Sequence, residues 1–135
     1  MEPTLPTAQS VVLINKLNYS PYSFPIFRRA WSRGDVCVIQ SPVEPHKAVC
    51  KRILHLPGDV IAVPVNQKNS ADITQVSKKD YIVPKGHVWV EGDNKEFSHD
   101  SRTYGPVPMA SLYGKVTFGV WPRPRFISNA IPVTS

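Results

Sequence analysis

The chain has 135 residues, with 14 Pro against 7 Gly and 16 basic against 10 acidic side chains, for a formal charge of +6. That is one domain's worth of polypeptide, able to bury about two-thirds of its unfolded surface, and the proline content argues for strands and turns over helix. The basic residues are scattered without an aromatic-interleaved repeat, which argues against a nucleic-acid face. No run approaches the ~18–20 apolar residues of a spanning helix, so neither an anchor nor a signal peptide is expected in these residues.

Met1 to Thr7 holds Pro3 and Pro6 and cannot be a regular helix. Val11 to Ile14 predicts a first strand. Residues 15 to 33 form an irregular excursion with Tyr19, Tyr22, Phe24, Phe27 and Trp31, read as a surface loop that tucks aromatic side chains onto the sheet or turns them to a partner. Arg33-Gly34-Asp35 reads as a turn, not an adhesion motif, before a strand at Val36 to Gln40. Ser41 to Pro45 ends that strand with two prolines. Cys37 and Cys50 lie in apolar strand patterns and read as small buried thiols, since two cysteines define no disulfide framework. His46, His55, His87 and His99 lack zinc-ligand spacing with them.

Ala48 to His55 is an apolar strand with a lysine inside it. Val49, Lys51 and Ile53 point to one face, and Cys50, Arg52 and Leu54 to the other. Stripped of water, an ammonium loses stability relative to its neutral form, and burial can lower a lysine by up to ~3–5 units from ~10.4. A neutral lysine is a general base. The alternative is a side chain that snorkels from the strand edge into solvent.

Leu56 to Asp59 is a turn, and Val60 to Val65 another strand, expected to form a hairpin around the lysine. Asn66 to Lys79 is polar and reads as a loop or weak hairpin. Tyr81 to Pro84 and His87 to Glu91 predict two short strands, and Ser111 to Trp121 a last one. Between them, Ser98 to Arg102, if extended, would put Ser98, Asp100 and Arg102 on one face. Asp100 and Arg102 could then pair, leaving Ser98 free to hydrogen-bond a lysine amine. The alternative is a solvated loop.

The strings MEPTL at residues 1 to 5, CKRILHLPGD at 50 to 59 and GHVWVEGDNKEFSHDSRTYGPVP at 86 to 108 resemble, in that order, the signature boxes of the signal peptidase I family. The likeness is nearest to its mitochondrial inner membrane branch, and Asp100-Ser101-Arg102, where a second subunit type looks more like Asp-Ser-Asn, points to the first subunit type. The resemblance implies a mainly β fold of short antiparallel strands and long loops, shared with repressor autoproteases. It implies a catalytic domain over residues 1–122, while the Pro and Ser content of residues 123–135 predicts a flexible tail. The implied activity is that of a serine endopeptidase using a Ser-Lys dyad to remove sorting presequences from proteins sent to the intermembrane space. Precursor proteins would be its substrates, a second protease subunit its partner and the inner membrane its location, with no nucleic acid and no cofactor. Arg28-Arg29 and Arg123-Pro124-Arg125, otherwise solvated, could then meet an anionic bilayer.

Residue by residue, the resemblance makes Lys51 the base, oriented by Ser98, with Asp100 and Arg102 holding the Ser98 segment and Asp93 supporting it. Leu5, Val49 and Cys50 would line a shallow pocket for small residues. Two departures stand out. Asn94-Lys95-Glu96-Phe97 replaces the more usual Asn-Arg-Asp-Asn. The family's nucleophilic serine directly precedes the Met-x-Pro-Thr segment, and this chain starts at that methionine, so an N-terminally incomplete chain without its nucleophile and anchor is expected. The alternative is an inactive homologue that stabilises a partner protease subunit. A repressor-like nucleic-acid module would need a helix-turn-helix unit that the sequence does not display.

Overall fold

A computed structural model describes residues 11–16, 30–64, 78–121 and 124–130. Among the described residues, short runs of Val, Ile and Leu, broken by Pro- and Gly-bearing turns, form nine strands: β1 Val11–Asn15, β2 Val36–Gln40, β3 Ala48–His55, β4 Val60–Pro64, β5 Lys78–Ile82, β6 His87–Glu91, β7 Val107–Pro108, β8 Leu112–Trp121 and β9 Arg125–Phe126. A single helical turn, α1, spans Ser101–Tyr104, and a 3-10 turn spans Met109–Ser111. The main sheet runs β1-β8-β2-β3-β6-β7 with β9 also on β8, while β4 and β5 form a separate ribbon. All of these pairs are antiparallel. The fold is mainly β, as the proline-rich composition predicts.

Antiparallel register keeps the two faces of β2 and β3 distinct. Cys37 stands opposite Lys51 and Ile39 opposite Val49, while Val36 stands opposite Arg52 and Val38 opposite Cys50. On the first face, Cys37, Ile39 and Ile53 pack with Trp31, Val88, Val90, Val107 and Leu112. On the second, Val36 and Val38 pack with Val116 and Ile127. Lys51 thus projects from the side of the larger core cluster. Trp31 is the described part of the aromatic excursion and does tuck onto the sheet; residues 17–29 lie outside the described residues, as do residues 1–10.

The strand expected beside Lys51 pairs elsewhere. β4 pairs with β5, Val60 opposite Ile82, instead of folding back on β3. The reason is that β3 is already occupied on both edges, by β2 and by β6. The Leu56–Asp59 turn sends the chain out of the sheet: Asp59 N–H donates to Leu56 O, and Gly58 and Val83 exchange with the turn through Gly58 N–H to Val83 O and Val83 N–H to Asp59 O. The strand placed at Tyr81 to Pro84 lies earlier, at Lys78–Ile82, so Lys78 and Lys79 leave the predicted loop, and residues 65–77 are outside the described residues.

Residues 124–130 of the stretch expected as a flexible tail are held by the fold. Phe126 sits opposite Phe118 in β9–β8 with the rings edge to face at 5.1 Å, and Ile127 is buried. The Arg33-Gly34 turn abuts this segment. Gly34 has φ +88, and a side chain there would run into the Asn129 carbonyl. Only glycine satisfies both demands. Cys37 is buried and Cys50 half-buried, and both are free thiols. Among the described residues no helix is long and apolar enough to cross a membrane.

Candidate active site

Lys51 is 8% exposed, on a strand flanked by two others, and its Nζ donates a hydrogen bond to Ser98 Oγ at 2.6 Å. Burial lowers the amine below the ordinary lysine value; Asp100 opposes that shift, and Arg102 adds to it. Ser98 also helps to keep the Asp100 carboxyl ionised. Asp100 is fully buried. Burial pushes its carboxyl up, but the Arg102 side chain and the Gly92 N–H outweigh this and hold it below the usual carboxylate value. The order of donors matters chemically: an amine that gives an N–H to Ser98 keeps its lone pair for another proton.

The segment that carries Ser98 is not the extended strand of the sequence reading. Asp100 is the N-cap of α1, its Oδ1 accepting the Arg102 N–H at 3.2 Å. Capping carboxylates favour a helical start, because the first turn has unsatisfied N–H groups. Asp100 and Arg102 do pair, through Arg102 Nε at 2.9 Å and Nη2 at 2.8 Å. Arg102 also donates to Lys95 O at 3.0 Å, tying the 92–98 loop to α1. The contact thus comes from a cap and a side-chain clamp instead of strand alternation.

Asp93 does not touch this group directly. It accepts two hydrogen bonds from Arg52, at 2.8 and 2.9 Å, with both side chains 2% exposed. Arg52 also donates to Gly34 O and Ser128 O. One guanidinium therefore joins β3, the turn after β6, the turn before β2 and the C-terminal segment. Gly92 stands between the two arrangements. A Cβ there would overlap Ser98 Oγ, lie 2.6 Å from Ser98 Cβ and stand 3.5 Å from Lys51 Nζ. Gly92→Ala is expected to cost about 1–3 kcal/mol through overpacking and to push Ser98 off the amine. Urea unfolding and a crystal structure of the variant check both parts, and an intact contact at wild-type stability contradicts them.

Val49 and Cys50 do not meet on one surface. Val49 packs against the cluster on the Lys51 face, and Cys50 against the cluster on the other. Adjacent strand residues point to opposite sides, so of these two only Val49 shares the lysine's face. Leu5 lies outside the described residues. Among the described residues no group of three His, Cys, Asp or Glu side chains could hold a metal ion.

Residues 1–68 and 64–121 match the family model for signal peptidase, peptidase S26. The chain belongs to the signal peptidase S26 family. It is 43% identical over 131 residues to the mitochondrial inner membrane protease subunit 1 of Schizosaccharomyces pombe, covering 97% of this chain and 74% of that one. It is 38% identical over 121 residues to the subunit of the same name in Mus musculus, covering 90% of this chain and 66% of that one. The chain thus spans 66–74% of the length of these relatives. A signal peptidase I structure from Enterococcus faecalis superposes with a TM-score of 0.48 at 24% identity, over 66% of this chain and 98% of that one.

Several residues of this signal peptidase family member have partners that its local sequence pattern does not reveal. Arg52 was visible only as an alternate-face neighbour of Lys51, although a cation in an apolar strand demands a buried anion. Lys115 Nζ meets Asp35 Oδ1 at 2.6 Å, 80 residues apart, a pairing no local pattern announces. Tyr104 has a buried hydroxyl without a hydrogen-bond partner among the described residues, and burial pushes its pKa up to about 12.

Proposed function

We propose that this signal peptidase family member is the catalytic domain of a serine endopeptidase of the Ser-Lys type. It acts at the intermembrane-space face of the mitochondrial inner membrane, removing sorting presequences from precursor proteins beside a second protease subunit. The observation that supports this most is the desolvated Lys51 amine held at 2.6 Å by Ser98. The location and the subunit partnership rest on the names of the two relatives. The nucleophile in this reading is the serine that the family carries directly ahead of the Met-x-Pro-Thr segment. An upstream in-frame segment that ends in Ser is therefore required in the transcript, and an in-frame stop there would remove the reading.

The chemistry follows from the state of the amine. Neutral Lys51 takes the proton of the serine hydroxyl as its oxygen attacks the scissile carbonyl carbon. The resulting ammonium returns that proton to the leaving amine nitrogen as the C–N bond breaks, leaving an acyl ester on the serine. Water then attacks the ester carbonyl, gives its proton to Lys51, and the serine oxygen recovers it on departure. Ser98 holds the amine in one rotamer through its own oxygen, and Asp100, kept ionised by Arg102, fixes the start of α1 and with it the Ser98 segment. Asp93, through Arg52, holds the turn that brings Gly92 and Ser98 to the lysine. Val49 supplies an apolar wall on the lysine's face for a small residue of the substrate.

A pH profile tests this role. Because Lys51 is active only when neutral and its pKa lies below the ordinary lysine value of ~10.4, kcat/KM is expected to climb tenfold per unit up to that lowered pKa and then level off. A flat profile from mildly acidic to strongly alkaline pH would exclude Lys51 as the base.

A further inference from the structure

β7 meets β6 only at His87 and Val88. Beyond that point two N–H groups on β6 are met by side chains instead of a strand. Val90 N–H donates to Ser101 Oγ at 2.9 Å, and Gly92 N–H donates to Asp100 Oδ2 at 3.0 Å. Both bonds are buried, and Ser101 is 1% exposed. The first residue of α1 and its cap thus continue the ladder where β7 ends, and they do so three residues or fewer from Ser98. Ser101 also accepts the Gly105 N–H with its carbonyl, which closes the helical turn on itself.

We propose that Ser101 is a positioning residue for Lys51: its hydroxyl docks α1 onto Val90, and this docking sets where Ser98 meets the amine. The proposal rests on the Lys51 role given above. A serine suits the position because a short oxygen acceptor reaches a buried N–H without extra volume. Alanine would leave Val90 N–H buried and unpaired, and would leave Asp100 to dock the segment alone while also binding Arg102. Ser98 has little latitude. Gly92 backs it closely enough to exclude a Cβ, and its oxygen is 2.6 Å from Lys51 Nζ, so a slip of about 1 Å breaks the contact.

The groups that act on the Lys51 charge are Asp100 and Arg102 from the α1 side and Cys50 from its own strand. On β2, Cys37 Sγ donates to the Lys51 carbonyl. Because loss of water is the main force lowering this amine, a displaced Ser98 that admits water raises its pKa.

The test titrates the lysine Cε signals of the full-length protein, labelled with 13C, for the wild type, Ser101→Ala and Ser101→Thr. Lys51 is expected to titrate at higher pH in Ser101→Ala, and kcat/KM near neutral pH to fall about tenfold while recovering at alkaline pH. Threonine keeps the hydroxyl and is expected to restore the wild-type titration. A folded Ser101→Ala with unchanged Lys51 titration overturns the proposal, as does a threonine protein displaced as far as the alanine one. Should the alanine protein not fold, Ser101→Cys, with its weaker sulfur acceptor, is expected to give a smaller shift in the same direction, and a wild-type titration there overturns the idea. The titration needs no catalysis, so it is decided separately from the base role, which falls if Lys51→Ala leaves cleavage intact.

Discussion

Under the proposed function, Lys51→Ala is expected to reduce cleavage of a precursor substrate by on the order of 10²–10⁴, the contribution a positioned base makes. Lys51→Arg should not restore it, because a guanidinium does not release its proton in water. The same substitution has a second signature. With the folded pKa below ~10.4, the unfolded chain binds more protons only between the lowered folded value and the unfolded one, so the cost of burying the charge is fully present below that window and stability rises with pH across it. Lys51→Met removes that effect and keeps the volume, so the variant is expected to be at least as stable as wild type at pH 7, with the difference vanishing above pH ~10.4. Denaturant unfolding at several pH values measures it. Cleavage that survives Lys51→Ala would instead favour the inactive homologue that supports a partner subunit.

Asp93→Ala is expected to be the most destabilising change in the described residues. It leaves the Arg52 guanidinium buried at 2% exposure without its carboxylate, and breaking a buried pair from one side costs about 3–5 kcal/mol. For a chain of this size that is a fall in Tm on the order of 10–20 °C. The double change Arg52→Met with Asp93→Leu is expected to recover part of the loss, since no buried charge is left unpaired. It should not recover all of it, because Gly34 O and Ser128 O lose their donor. The Arg33–Asp59 pair offers the contrast. Its arginine side chain is 58% exposed, and Asp59→Asn should cost far less than Asp93→Ala, because solvent screens an exposed pair. Thermal unfolding of the single variants and the double variant decides this, and equal losses for Asp93→Ala and Asp59→Asn would contradict the burial argument.

The two halves of the candidate site differ in how far local sequence reveals them. Period-two alternation is enough to find β2, β3 and β6 and to put Lys51 and Arg52 on opposite faces, because each strand's pattern is written in consecutive residues. The same reasoning fails between 98 and 102, where a carboxylate cap turns the chain into a helical start, and polar residues at short spacing favour several local structures about equally. It fails again at β4: an apolar run says that a strand forms but not which edge receives it.

What the amino-acid sequence by itself determined is the strand-rich character of the chain, the lysine within an apolar strand and the three boxes of the signal peptidase family. Only the tertiary structure decided that the amine meets a hydroxyl 47 residues away and that its neighbour Arg52 meets a carboxylate 41 residues away. It also drew the C-terminal segment into the same cluster through Ser128 O. The physical reason is that periodicity reports which way a side chain faces, whereas what it faces depends on sheet order and register, set by the packing of the whole chain.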